Sequence, residues 1–207
     1  VTEDFLARLA RVSVPTLGHF LEDGFLPPEI RRLAGQGTVA GKARTVRIAG
    51  QDALAMNRAI LGVQPGDFLV VDMSGDHGHA PLGAVTAAAL VARGAVGVVV
   101  DGAVTDVADL RASGLSIHAR GTSCLTTKRH GGKQRGGAGS ASGVVLDLAG
   151  VRIADGDLVL ADSNGVAVFT RDVLAGVLPL AEASDAAEPE LLRRIRAGEA
   201  LDGLLAT

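Results

Sequence analysis

The stretch GTVAGKARTVRIAG, 37 to 50, sets β-branched residues between glycines and predicts a strand, and QDALAMNRAILGV after it spaces its apolar residues for a helix. PGDFLVVDM then reads as a turn feeding a buried strand, SGDHGHAPLG as a Gly-rich loop, AVTAAALVARG as an Ala-rich helix ended by Gly94, and AVGVVVDG as a second buried strand. Such a βαβ unit pairs its strands in parallel through a right-handed crossover, and its ligands gather beyond the carboxyl ends of the strands. Residues 72 to 83 and 101 to 106 lie there. Downstream, DVADLRASG predicts a helix, SIHA a strand, and 121 to 142 a loop rich in Gly, Ser, Lys and Arg. The short strands GVVLDLAG, VRIA, DLVLAD and GVAVF follow, separated by the turn signals Ala-Asp-Gly-Asp and Asp-Ser-Asn-Gly. From Arg171 the pattern is helical, with Pro189 at a first helical position.

Composition narrows the picture. The 207 residues can bury one good-sized core, and with no break in composition and no repeat a single domain over 1–207 is expected. Five Phe and no Tyr or Trp leave the core to Val, Leu, Ile and Ala, and speak against stacking recognition of bases. A formal charge of -3 speaks against a general polyanion binder, so no nucleic-acid partner is expected. Cys124 is the one cysteine, which excludes an intramolecular disulfide and a thiolate-rich zinc site and fits a reducing cytoplasm. No charged-apolar-cleavage pattern opens the sequence and no apolar run is long enough to span a bilayer, so a soluble, cytoplasmic protein without a membrane partner is expected.

Chemistry concentrates in three places. After Gly83 the helix start leaves the N–H groups of Ala84, Val85 and Thr86 unpaired, which with the helix dipole suits a carboxylate or phosphate, although the glycines also serve a tight strand-to-helix turn. His77 and His79 in the same loop have the spacing to bind a metal or move a proton, but no Cys or Glu nearby completes a ligand set, and solvated loop histidines are the plainer reading. Thr105 and Asp106 are good helix N-caps, with Asp109 favouring the dipole; Asp106 is also suited to a hard metal, since one carboxylate with waters holds Mg²⁺ when substrate oxygens help. The loop GTSCLTTKRHGGKQRGG adds Lys128, Arg129, Lys133 and Arg135, a solvated loop or a contact for an anion.

The ordered motifs GKARTV (41 to 46), PGDFLVVD (65 to 72), GDHGHAPLG (75 to 83), ARGAVGVVVDGAVTD (92 to 106) and GDLVLADSNGVAVF (156 to 169) resemble the RraA-like family. That family groups the regulator of ribonuclease E activity with 4-hydroxy-4-methyl-2-oxoglutarate aldolases, and its members often carry the label demethylmenaquinone methyltransferase. The resemblance implies an α/β fold, an α/β/α sandwich with a swivelling β-barrel-like core, assembled as a trimer or a pair of trimers with sites between subunits. It also implies Mg²⁺ (or Mn²⁺) on Asp106, with the amides of Val85 and Thr86 after Gly83 on a substrate carboxylate. Two positions depart from the family pattern: its substrate-gripping Arg falls on Thr105, and its water-orienting loop Asp falls on Ala84. Losing a bidentate charged grip costs several kcal/mol, and losing a proton-transfer group costs roughly a hundredfold in rate.

Two functions follow from the resemblance. One is a metal-dependent carbon–carbon lyase on a small oxo-acid, altered or weakened, with Asp106 and His79 as catalytic candidates. Gly83, Val85, Thr86, Thr105 and Arg129 are its substrate-binding candidates, and Arg129, Lys128 or a loop histidine stands in for the missing cation. The other is a non-catalytic oligomer that binds a protein partner such as a ribonuclease. Methyl transfer finds no support, because no Gly-rich nucleotide loop with its ribose-binding acid is present.

Overall fold

A computed structural model describes residues 3–128 and 139–204. The chain opens with three elements too short to show a period, α1 (Glu3–Leu9), α2 (Val14–Leu17) and β1 (Arg31–Ala34). The predicted alternation then follows: β2 (Val39–Arg47), α3 (Ala53–Gly62), β3 (Asp67–Asp72), α4 (Ala84–Ala92), β4 (Gly97–Val104), α5 (Val107–Ala112) and β5 (Ser116–Thr122). Every residue of β3 and β4 is buried, which is why these strands read as unbroken apolar runs. The strands β2, β3, β4 and β5 are mutually parallel neighbours, with Val70 opposite Val99.

The short strands β6 (Ala141–Ser142), β7 (Leu146–Leu148), β8 (Val151–Ile153), β9 (Leu158–Ala161) and β10 (Val166–Phe169) come next. The main sheet runs β1-β5-β4-β3-β2-β9-β10, with β6 on β2, and β7 and β8 form a separate antiparallel pair. The result is a mixed α/β fold with a curled half-barrel sheet, as the RraA-like resemblance implies. Alternation within the strands divides the core. Leu69, Val71, Val98 and Val100 face the α3–α5 side, whereas Phe68, Val70 and Val99 face inward onto Leu146, Leu148 and Ile153. Phe68 fits because Gly97 has no side chain: a Cβ there would lie 2.4 Å from its ring.

A third cluster sets Leu158, Leu160, Ala167 and Phe169 against α1, α2 and α6 (Arg171–Arg196). Here the sequence expectation is corrected, since Pro179 and Pro189 both lie inside this one helix and Pro189 does not open a new one. Each proline removes a helix hydrogen bond, but packing and side-chain ties hold the helix through the fault. Leu174, Leu178 and Ala181 are buried, Glu182 accepts from Arg8 Nε and Nη2 at 2.8 and 2.7 Å, and Asp185 accepts from the Ser13 N–H at 2.9 Å. No helix among the described residues is long and apolar enough to cross a membrane.

Candidate functional site

At the carboxyl end of β4 the backbone is laced to the end of the Gly-rich loop. Val104 bridges Leu82 in parallel, and the Thr105 N–H donates to the Leu82 carbonyl at 2.9 Å. Leu82 is fully buried, so this contact fixes the start of α4 against the end of β4. Asp106 then takes a left-handed conformation, φ 54 and ψ 45, where only a minority of non-glycine residues are found. That turn overrides the local cap rule: Asp106 makes no side-chain cap bond to α5, the helix it precedes. Its Oδ2 accepts instead from the Ala84 N–H at 2.9 Å, so the carboxylate caps α4, whose own cap position, Gly83, has no side chain to offer. The approach depends on that glycine, because a Cβ on Gly83 would lie 2.5 Å from Asp106 Oδ2 and 2.8 Å from Thr105 Cγ2.

The rest of the helix start is only partly satisfied. The Thr86 hydroxyl accepts from the Gly83 N–H at 2.9 Å and donates back to the Gly83 carbonyl at 3.0 Å. No described residue accepts from the Val85 or Thr86 N–H, so both donors stay available to an anion. Thr105 turns its hydroxyl to Asp106 Oδ1 at 3.3 Å and brings no charge.

These groups open on a cavity of about 330 Å³, at the small end of the range for small-molecule sites. Gly83, Val85, Thr86, Thr105 and Asp106 all line it. Ala53, Met56 and Asn57 join them from one face of α3, as their i, i+3, i+4 spacing dictates. Asn57 went unnoticed in the sequence, where nothing distinguishes a polar residue facing a cavity from one facing water. The last wall, Thr126 to Lys128, is strapped to the loop: the Ala80 N–H donates to the Leu125 carbonyl at 2.8 Å, and the Thr127 N–H to the Ala80 carbonyl at 3.3 Å. Asp106 and Lys128 are the charged residues of this lining among the described residues.

One described candidate is not brought to this group. His79 does not line the cavity; its Nδ1 lies 2.8 Å from Asp76 Oδ2 and its Nε2 2.9 Å from Gln51 Nε2. Burial pushes the Asp76 carboxyl up, but hydrogen bonds from His79 and from the Gly78 N–H outweigh it and hold the group below its ordinary value. Arg129, with Lys133 and Arg135, lies outside the described residues.

The inner face of the sheet carries a second charged group. Asp72 and Asp101 are register partners on β3 and β4, each buried and each clamped by an arginine from the next strand outward, Arg47 and Arg120. His77 Nε2 stands 3.7 Å from Asp101. Each carboxylate is neutralised by its own arginine, and the register shift between Val100 and Ala103 falls at this point.

A divalent metal fits the cavity in one way. Among the described residues no three His, Cys, Asp or Glu side chains gather as a metal cage, so a closed structural site does not fit. Asp106 is an exposed carboxylate held by two fixed donors, Ala84 N–H and the Thr105 hydroxyl, in a niche that a Cβ at Gly83 would fill. That suits a hard cation such as Mg²⁺, which keeps most of its waters and takes one carboxylate plus substrate oxygens.

A protein of Halalkalibacterium halodurans that carries the name 4-hydroxy-4-methyl-2-oxoglutarate aldolase is 32% identical over 185 residues, 88% of this chain and 84% of that one. The solved structure of the RNA-processing inhibitor RraA from Thermus thermophilis superposes with a TM-score of 0.64 at 28% identity, over 76% of this chain and 92% of that one. An uncharacterized protein from Pseudomonas syringae pv. tomato shares the fold over 100% of this chain and 94% of its own, with a TM-score of 0.83 at 24% identity. The model of the RraA-like family, described as Aldolase/RraA, matches residues 17–168, the span from α2 to β10 that builds both the half-barrel and the cavity, and the chain belongs to that family.

Proposed function

We propose that the chain is a divergent, metal-dependent lyase acting on a small 2-oxo acid, and that it breaks a carbon–carbon bond by decarboxylation more readily than by aldol cleavage. One observation carries this reading: Asp106 and the free N–H groups of Val85 and Thr86 share one cavity. The N–H groups at the α4 start would take the substrate carboxylate. Asp106 would hold Mg²⁺ or Mn²⁺, which when bound draws negative charge onto the keto oxygen as the bond breaks. Aldol cleavage must also remove a proton from a hydroxyl. Ala84 stands where the family places an Asp, and Asp106 is the one acid or histidine lining the cavity among the described residues. Loss of CO₂ needs no such base, because the electron pair stays on the oxo-acid and water returns the proton. Without the family Arg at Thr105, turnover should be slow.

The test is loss of oxaloacetate and release of pyruvate from a panel of oxo-acids, with Mg²⁺ or Mn²⁺ and after chelation. Metal-dependent turnover that Asp106→Asn lowers at least a hundredfold is expected, and no metal-dependent turnover on any substrate discards the reading. The apolar side chain of Val85, which lines the cavity at 84% exposed, supports a homotrimer or dimer of trimers in which a second copy covers the cavity. Of the acidic side chains on α6 and just after it, Glu182, Glu190 and Glu199 are paired with arginines of their own chain, and no described residue pairs with Glu188. The regulator reading keeps one support, the uncharged Thr105 and Ala84 in the cavity, and wins if a ribonuclease is inhibited by a preparation that turns over nothing.

A further inference from the structure

We infer that Lys128 is the specificity-determining cation of the cavity, receiving an anionic group at the far end of the substrate from the 2-oxo acid head. The inference rests on the lyase reading of the same site. In sequence Lys128 is one of four basic residues, Lys or Arg, in a loop whose plainer reading is a solvated one. Lys128 is the one of the four among the described residues, and it lines the cavity.

Its backbone is anchored. The Ser123 N–H donates to the Val104 carbonyl at 2.9 Å, the residue bridging Leu82, and Ala80 and Thr126 form a parallel bridge. Thr127 is buried, and the Thr126 hydroxyl donates to the Lys128 carbonyl at 3.1 Å. Lys128 is therefore held at a fixed place relative to Asp106, and only its four-carbon arm is free. No described residue forms an ion pair with its ammonium. Other arginines near the sheet ends are already committed: Arg47 to Asp72, Arg120 to Asp101 and Arg44 to Asp67 and Asp155.

Charge balance points the same way. Among the described residues Asp106 and Lys128 cancel, so a divalent cation on Asp106 would leave that lining with two net positive charges, matching a dianion. Without Lys128 the balance would match a monoanion. The helix amides and the cation claim the carboxylate and keto oxygens of the head. That leaves the ammonium for a second carboxylate, and the exposure of Lys128 limits the gain to about tenfold in affinity.

Two five-carbon acids that differ only at the far end give the test, 2-oxoglutarate with a distal carboxylate and 2-oxopentanoate with a methyl. Calorimetric titration of each is made into the Mg²⁺-loaded protein, with Lys128→Met, Lys128→Arg and Asp106→Asn alongside. The wild type should prefer 2-oxoglutarate by about tenfold, Lys128→Met should erase the preference, and Lys128→Arg should restore most of it. Equal weakening of both acids by Lys128→Met, or an unchanged preference, overturns the role of Lys128. Binding of both acids undisturbed by Asp106→Asn overturns the site reading beneath it, and no binding of either acid by the wild type overturns both.

Discussion

Gly83→Ala probes the contact on which the site depends. The backbone at Gly83, φ -144 and ψ -165, is ordinary extended chain that alanine adopts freely, so conformational strain contributes nothing. The cost is steric. The new methyl would sit 2.5 Å from Asp106 Oδ2, 2.8 Å from Thr105 Cγ2 and 3.4 Å from Asp106 Cγ. Asp106 must swing away and surrender the 2.9 Å bond from the Ala84 N–H. A hydrogen bond to a charged acceptor is worth about 1.5–3 kcal/mol, and the exposure of Asp106 lets water recover part of it, so a loss of about 1–2 kcal/mol is expected. For a chain of this size that lowers Tm by roughly 3–6 °C. Gly62→Ala supplies the opposite case. Gly62 is helical, and a Cβ there meets nothing within 4 Å. Alanine at that position should stabilise by about 0.5–1 kcal/mol. Urea melts of the two variants, with Mg²⁺ titrated into each, make the comparison. If Gly83→Ala is as stable as the wild type and binds Mg²⁺ as well, the close approach of Asp106 to α4 is not what organises the site.

Arg120→Ala should destabilise by about 2–3 kcal/mol, because it leaves Asp101 without its guanidinium at a side-chain exposure of 10%; chemical denaturation measures it, and a change below about 0.5 kcal/mol would place the clamp among ordinary surface ion pairs. Burial, followed by the nearby Arg32 charge, holds the His118 imidazole below its ordinary 6.5, although its bond to the Asp162 carbonyl opposes the shift. The unfolded chain therefore takes the proton first, so stability is complete above pH 6.5 and falls as pH drops from there towards the lower folded value. Denaturation of the wild type between pH 7 and 5 should show up to about 1.4 kcal/mol per pH unit from this one group, and a His118→Asn variant with an unchanged slope would refute the assignment.

The strands that were legible in the sequence are those whose burial leaves a mark. DFLVVD and GVVVDGAV are buried on both faces and so are almost wholly apolar, and the glycines that end the helices follow from backbone sterics. What escaped depends on partners far away in the chain. The four-residue strand β1 exists because Arg31 pairs with Ala119, and α6 continues through Pro189 because Arg8 and Ser13 hold its flank. The site divides in the same way. Asp106, Thr105 and the amides after Gly83 stood out as candidates because local helix rules and family motifs mark those positions, and they line one cavity, whereas Asp106 caps a different helix from the one local rules expect. Local rules know only the helix that follows in sequence. The helix actually capped begins 22 positions earlier, and only the Leu82–Val104 bridge brings it near.

That reassignment bears on how metal and substrate would act together. While Asp106 caps α4, its negative charge occupies the positive end of the helix that is meant to attract a carboxylate. Two carboxylates about 4 Å apart repel by about 1 kcal/mol in water and about 4 kcal/mol near a protein surface. Without a metal the anion site is therefore partly cancelled by its own neighbour. In the proposed reading a divalent cation on Asp106 reverses that charge, and repulsion becomes attraction at the same helix start. The effect is reciprocal, so the oxo-acid must tighten the metal by the factor with which the metal tightens the oxo-acid. A single exposed carboxylate is a poor metal ligand by itself, and a capped helix start is a poor anion site by itself. In the proposed reading coupling makes each sufficient, and it explains how a cavity with an uncharged Thr105 would still hold a substrate.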